Sequence, residues 1–416
     1  MRVLVINGDC LERNSSANLC HLAYIRGMLN IGCEVDILCA DGRDYELDPE
    51  MSIPSEARVY TYYGVSMYEK LSLSKKAITQ KNSHREKIKE DSAQINLKNR
   101  IKKNAKKTVR QTLKKTKRFV LWTYGVHGIY APFVKQAMKY KSSDMYDFVV
   151  SLSTPVTSHL IAGKLIKKKH IRTKHWIQIW EDPWYSDIYG FNNKKSIYRE
   201  EKHLLDMAEM IVYVSPLTLI NQQRIFLDNA EKMRWQPLPS YYADADSKKK
   251  KKTDHNTYGY FGNYYSAARD LKPFYDAAKE MGIETNICGS PHTLFEGTDR
   301  IHIYPRLSLD KLRPIEDETD VLVFLCNRGG GQIPGKIYQY SATAKPILFI
   351  LDGTEEEQKN LKEYFSQFHR YYFCSNNKDD IIDTVKKIDS GSSEGIISEP
   401  INDFTPEKIV KNILEG

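Results

Sequence analysis

No apolar run in the sequence approaches the roughly 20 residues that cross a bilayer. The amino terminus, MRVLVINGD, reads as a strand and not as a signal peptide. Seven cysteines are scattered without a C-x-x-C or any metal-ligand spacing, and several sit in apolar runs. They read as reduced core residues of a cytosolic protein, which excludes a disulfide scaffold and a zinc module. H-E-x-x-H is absent, as are a Ser-His or Cys-His signature, a closely spaced carboxylate pair and a carboxylate metal cluster. The expectation is therefore no essential metal and no dedicated protein nucleophile. No repeat of 20–50 residues is visible, so solenoids and propellers are excluded.

Charge is present in excess, but in one place. The net charge is +9 over 416 residues. Residues 70–118 hold 18 Lys/Arg and 3 Asp/Glu, a balance of +15, which leaves −6 for the remainder (9 − 15). An argument about an anionic partner belongs to this tract alone. Within it Leu97, Ile101, Ala105, Val109 and Leu113 recur every four residues, the pattern of an amphipathic basic helix. The uncharged run at 119–134, with Trp122, Tyr124 and Tyr130, is too short to span and suited to an interface. Together they point to an anionic membrane surface contacted through residues 70–134. A solvated charged helix beside a buried element reads equally well. Nucleic acid is the weaker option, since no recognised binding motif accompanies the lysines.

The chain is long enough for two domains. Strands are expected at 2–7, 34–39, 147–153, 174–179 and 210–214, with helices at 18–31, 158–169 and 198–209. This β-α alternation predicts a first doubly wound domain over 1–235. Two prolines and a lysine run mark 236–256 as a linker. A second series follows over 257–416: strands at 258–261, 284–288, 301–304, 321–326 and 346–351, and helices at 267–281, 355–368, 378–388 and 406–414. Two such domains face each other across a cleft, and open α/β sheets bind ligands at their carboxyl ends.

The stretch NRGGGQIPGKIYQYSATAKPILFI, from Asn327 to Ile350, carries the most chemistry. Gly329, Gly330 and Gly331 let the backbone approach a ligand closely, a helix start offers N–H groups to an anion, and Lys336 adds a mobile positive charge. This reads as a site for a phosphorylated ligand; a plain glycine-rich connection also fits. A triphosphate loop fits less well, because Ile337 replaces its metal-binding hydroxyl and Pro334 removes an N–H.

The layout and these motifs resemble GT-B glycosyltransferases, in particular glycosyltransferase family 4 of the polysaccharide-assembly type. The resemblance covers nearly the whole chain outside the basic tract. Many members of the family carry two glutamates with seven residues between them, and Gly331 and Gln339 fall at those positions. The second glutamate is similar to a hook on the ribose of a nucleotide; Gln339 keeps an amide oxygen and lacks the charge. The resemblance implies a UDP- or GDP-sugar donor, no other cofactor, and donor contacts at Gly262, Asn263, Gly289, Arg306, Gly330, Gly331, Ile333 and Gln339. Arg269 and Lys336 would stabilise the departing diphosphate.

For the acceptor, the loop Gly8-Asp-Cys-Leu-Glu-Arg-Asn-Ser-Ser16 supplies Asp9, Asn14 and Ser15, and Ser153 ends another strand toward the same cleft. Asp182, in Glu-Asp-Pro-Trp, either orients an acceptor hydroxyl or caps a helix. The implied activity is retaining transfer to a glycan or lipid-linked acceptor in surface polysaccharide synthesis, on the inner face of the cell membrane. The missing acids allow a rival: a catalytically inactive partner of an active transferase.

Overall fold

The computed structural model describes residues 1–70, 119, 121–187, 194–241, 255–264, 267–329, 331–392 and 395–416. The basic helix expected within 70–118 falls outside the described residues, as does Gly330.

Two all-parallel sheets form the framework. The first has seven strands: β1 Arg2–Asn7, β2 Glu34–Ala40, β3 Arg58–Tyr62, β4 Met145–Ser153, β5 Arg172–Trp180, β6 Met210–Tyr213 and β7 Met233–Trp235, in the order β3-β2-β1-β4-β5-β6-β7. The second has six: β8 Thr257–Phe261, β9 Glu284–Cys288, β10 Ile301–Tyr304, β11 Val321–Leu325, β12 Ile347–Leu351 and β13 Tyr371–Ser375, in the order β10-β9-β8-β11-β12-β13. Strands buried on both faces need continuous apolar runs rather than alternation, and VLVFL of β11 and ILFIL of β12 are buried at every position. Strand order reverses between β1 and β4 in one sheet and between β8 and β11 in the other. These two reversals open the crevices where ligands of such sheets lie.

The described helices are α1 Ser16–Asn30, α2 Ala131–Ala137, α3 Thr157–Lys167, α4 Lys194–Met207, α5 Pro216–Ile225, α6 Lys272–Met281, α7 Leu309–Glu318, α8 Lys336–Ser341, α9 Glu355–Ser366, α10 Lys378–Asp389 and α11 Pro406–Glu415. Ser15 caps α1, and Thr354 with Glu357 forms a reciprocal capping box on α9. α6 begins at Lys272, later than the expected 267, because Pro273 favours the first turn of a helix and resists its interior. Arg269 accordingly sits in the turn before the helix. The last helix, α11, crosses back and packs on α1. Gly27 makes room there, since a Cβ would collide with the carbonyl of Pro406. The buried faces of both domains join in one apolar cluster that includes Tyr24, Leu238, Ile337 and Ile409.

Candidate functional site

The segments that leave β5 and β11 meet between the two sheets. Residues 181–187 follow β5, and residues 326–335 follow β11. Gln332 bridges the two: its Nε2 donates to Asp182 Oδ1 at 2.5 Å and to Asp187 Oδ1 at 3.3 Å. The Gln332 carbonyl accepts from Asn327 Nδ2 at 3.0 Å, and Asn327 Oδ1 in turn accepts from Arg269 Nε at 2.6 Å. One hydrogen-bonded chain thus joins a carboxylate of the first domain to a guanidinium of the second. Asp182 is open to the cleft yet hemmed in by both domains. Loss of hydration lifts its carboxyl to about 6, the Gln332 bond opposes this, Glu181 and Asp187 add to it, and Arg269 pulls it down.

The glycine loop is clamped rather than open. Gly331 has φ +70°, and a Cβ there would stand 2.9 Å from Leu217 Cβ, so the position where the resemblance places an acid has no room for a side chain. The Gly331 carbonyl accepts from Ser215 Oγ at 2.6 Å and Thr218 Oγ1 at 3.3 Å, and its N–H donates to Glu357 at 3.2 Å. Ser215 is also the cap of α5, so one hydroxyl serves helix and interdomain contact together. What remains between Gly329, Gly331, Ile333 and Asp352 is a cavity of about 10 Å³, room for one water. Ile333 is buried in the shared core.

The helix beyond the loop, α8, has six residues, and its first N–H groups are partly used: Ile337 donates to Pro334 and Tyr338 to Gly335. Lys336 Nζ is 2.7 Å from Glu316 of α7 and lies near the rings of Phe261 and Tyr340, at 6.0 and 5.7 Å. Its charge is directed to the end of β8 and balanced by Glu316. Gln339 is 5% exposed, and its Oε1 accepts the main-chain N–H of Tyr241. Gly262 and Gly289 lie back to back, and a Cβ on Gly289 would strike the Gly262 carbonyl. Asn263 is exposed at the same rim and offers its carbonyl to Arg269 at 3.3 Å.

On the acceptor side, Asp9 is tied to Arg13 at 2.9 Å. Asn14 donates to Asp48 at 2.7 Å, and its carbonyl accepts from Arg306 of the second domain at 3.0 Å. Arg306 and Asn14 thereby share the wall of an open cavity of 670 Å³, with Tyr45, Glu69, Ser308 and Lys311. Ser15 is spent on capping α1, and Ser153 is buried with its hydroxyl unpartnered. Of the expected residues, Asp182, Arg269, Gly331 and Ile333 gather at the glycine loop and Asn14 and Arg306 at the large cavity, while Lys336, Gln339 and Ser15 are engaged with Glu316, Tyr241 and the start of α1.

Sequence reasoning did not single out Gln332, Asn327, His21 or Glu181 as functional. His21 of α1 is fully buried, with Nε2 3.2 Å from Glu181 and 3.3 Å from the Ser153 carbonyl. Burial pushes the Glu181 carboxyl up, and His21 opposes it. The one signal available was Glu181 standing beside Asp182 in the same tetrapeptide. Among the described residues no group of three His, Cys, Asp or Glu is arranged to hold a metal ion, and no helix is long and apolar enough to cross a membrane.

Two solved structures align along the entire chain. One is a glycosyltransferase from Rickettsia africae ESF-5, 11% identical, with a TM-score of 0.54, covering 100% of this chain and 97% of that one. The other is a sucrose-phosphate synthase from Thermosynechococcus elongatus, 11% identical, with a TM-score of 0.54, covering 100% and 94%. The chain has the GT-B fold. At this identity the likeness carries the fold, and the chemistry has to come from the site. No protein-family model and no curated protein matches the sequence. In GT-B terms, the network from Asp182 to Arg269 spans the interdomain cleft, from the end of β5 to the segment between β8 and α6.

Proposed function

We propose that this chain is a glycosyltransferase that moves a sugar from a nucleotide-sugar donor to a glycan or lipid-linked hydroxyl. The observation that carries this reading is the convergence of Asp182, from the first sheet, with Arg269, from the second, through Gln332 and Asn327. A carboxylate suits an acceptor hydroxyl, and a guanidinium suits a diphosphate. In the retaining course, the bond from the anomeric carbon to the diphosphate oxygen breaks and a bond to the acceptor oxygen forms on the same face. The acceptor proton passes to the departing diphosphate. Asp182 orients the hydroxyl, while Arg269 and Lys336 stabilise the growing phosphate charge.

The finer reading places this chemistry in surface polysaccharide synthesis at an anionic membrane face. It is supported by the +15 tract and by Phe119 and Trp122 beside it, 63% and 75% exposed and stacked 5.9 Å apart. A second reading, an inactive GT-B partner of an active transferase, draws on Gly331 and Gln339. The first has no room for an acid, and the oxygen of the second is engaged by Tyr241.

Thermal shift with UDP, GDP and ADP and with their sugar conjugates tests the donor site. Stabilisation by a nucleoside diphosphate that is lost in Lys336→Ala and Arg269→Ala is the expected result. Indifference to all of them supports the inactive partner instead.

A further inference from the structure

Residues 181–187 hold the cleft carboxylates, and side chains anchor this segment along its length. His21 holds Glu181, Gln332 holds Asp182 and Asp187, and the buried Gln222 donates to Ser186 Oγ at 3.0 Å. The middle of the segment hangs on Glu201 of α4. Its carboxylate accepts the N–H of Tyr185 at 2.6 Å and is close enough to that of Trp184 to be stabilised by it. Glu201 is wholly inaccessible to solvent, and its second oxygen, Oε1, has no hydrogen-bond partner. No salt bridge reaches it among the described residues. The neighbouring His127 pairs with Glu200 at 3.0 Å and rests its ring 5.3 Å from Trp184. The titratable group facing it from β6 is Tyr213, whose buried hydroxyl is also unpartnered.

A buried carboxylate without a cation is costly, and a structural contact to two amides could be made by a neutral side chain. We infer that Glu201 is a positioning residue: its carboxylate grips the Trp184 and Tyr185 amides and so fixes Asp182 in the cleft. The inference rests on the reading of Asp182 as the carboxylate that meets the acceptor. Burial lifts the Glu201 carboxyl to about 7, against the two amide bonds that lower it. Ionised Glu201 is the stronger acceptor, so the segment is gripped above that pH and loosened below it.

Amide hydrogen exchange over residues 181–187, corrected for intrinsic rates and followed from pH 5 to 9 in the full chain, reads this grip without a substrate. The expected result is about a tenfold gain in protection at Trp184 and Tyr185 as pH rises through about 7, charged acceptors being roughly twice as strong as neutral ones. Glu201→Gln should hold the amides at one intermediate level with no pH step, and Glu201→Leu should release them while β5 and β6 stay protected. Protection that is flat with pH in the unmodified chain overturns the inference even if Glu201→Leu does not fold. So does a loss in Glu201→Leu that spreads evenly through the first domain, the mark of a merely structural role. UDP-dependent thermal shift on the same variants separates the two failures. A lost exchange step with nucleotide binding intact refutes only the role of Glu201. An intact step with no nucleotide binding refutes the transferase reading.

Discussion

Gly331 combines a left-handed φ of +70°, contact with Leu217, and three hydrogen bonds across or beside the cleft. Restoring the acid of the resemblance, Gly331→Glu, should lower stability by about 1–3 kcal/mol through overpacking and backbone strain, measured by urea unfolding. Lys336 is balanced by Glu316, so Glu316→Gln should tighten UDP binding severalfold by releasing the ammonium, measured by calorimetry. Loss of hydration lifts the Asp182 carboxyl to about 6, and the proposed transfer uses it ionised. Turnover should rise through about pH 6 and flatten above it, and Asp182→Asn should lose that limb, read from a pH–rate profile. Glu201 adds a stability effect of opposite sense. Its folded pKa, about 7, is raised above the ordinary 4.5, so the folded chain holds its proton more tightly. That stability is present below about 4.5 and lost as pH rises through about 7, worth up to about 3 kcal/mol. Glu201→Leu should flatten the fall in unfolding free energy between those limits.

Ser215 serves two elements at once, capping α5 and holding the Gly331 carbonyl. Ser215→Ala should cost about 1–2 kcal/mol and increase exchange of the Gly331 amide, a pairing that loss of the cap alone does not produce. The long buried strands were legible because β1, β11 and β12 are unbroken apolar runs. β3, β7 and β13 were missed for physical reasons. β3 and β7 are short and partly exposed edge strands, and the tyrosines of β13 resemble those of loops elsewhere. The glycine loop was legible as a place of close approach, but its partner was not. Gln332 and Asp182 stand 150 residues apart, and no spacing rule links residues that meet only when two domains close. The short α8 shows the same limit: Pro334, Gly335 and Lys336 mark a helix start, while the hydrogen bonds of its first turn depend on the folded loop.

At the scale of the whole molecule, both predicted sheets are present, one of seven parallel strands and one of six. The proposed membrane contact belongs to the basic tract and is tested by removing it. Removal of residues 70–118 should abolish salt-sensitive binding to vesicles containing anionic lipid, measured by co-sedimentation. Trp122→Ala should weaken that binding at high salt, where the apolar contribution dominates. Unchanged binding of the shortened chain would assign the tract another partner.

The backbone passes between the domains twice, once after β7 and once before α11. These two passages are joined to each other, since the Ser240 N–H donates to the Phe404 carbonyl at 2.8 Å. Tyr241 rivets them to both sides: its N–H reaches Gln339, its hydroxyl reaches the Glu50 carbonyl at 2.9 Å, and its ring lies under Arg26 at 4.8 Å. The two passages are thus held together as one strap between the sheets. A change in the angle between the two sheets therefore has to carry both passages together, and it also has to part Ser215 and Thr218 from the Gly331 carbonyl.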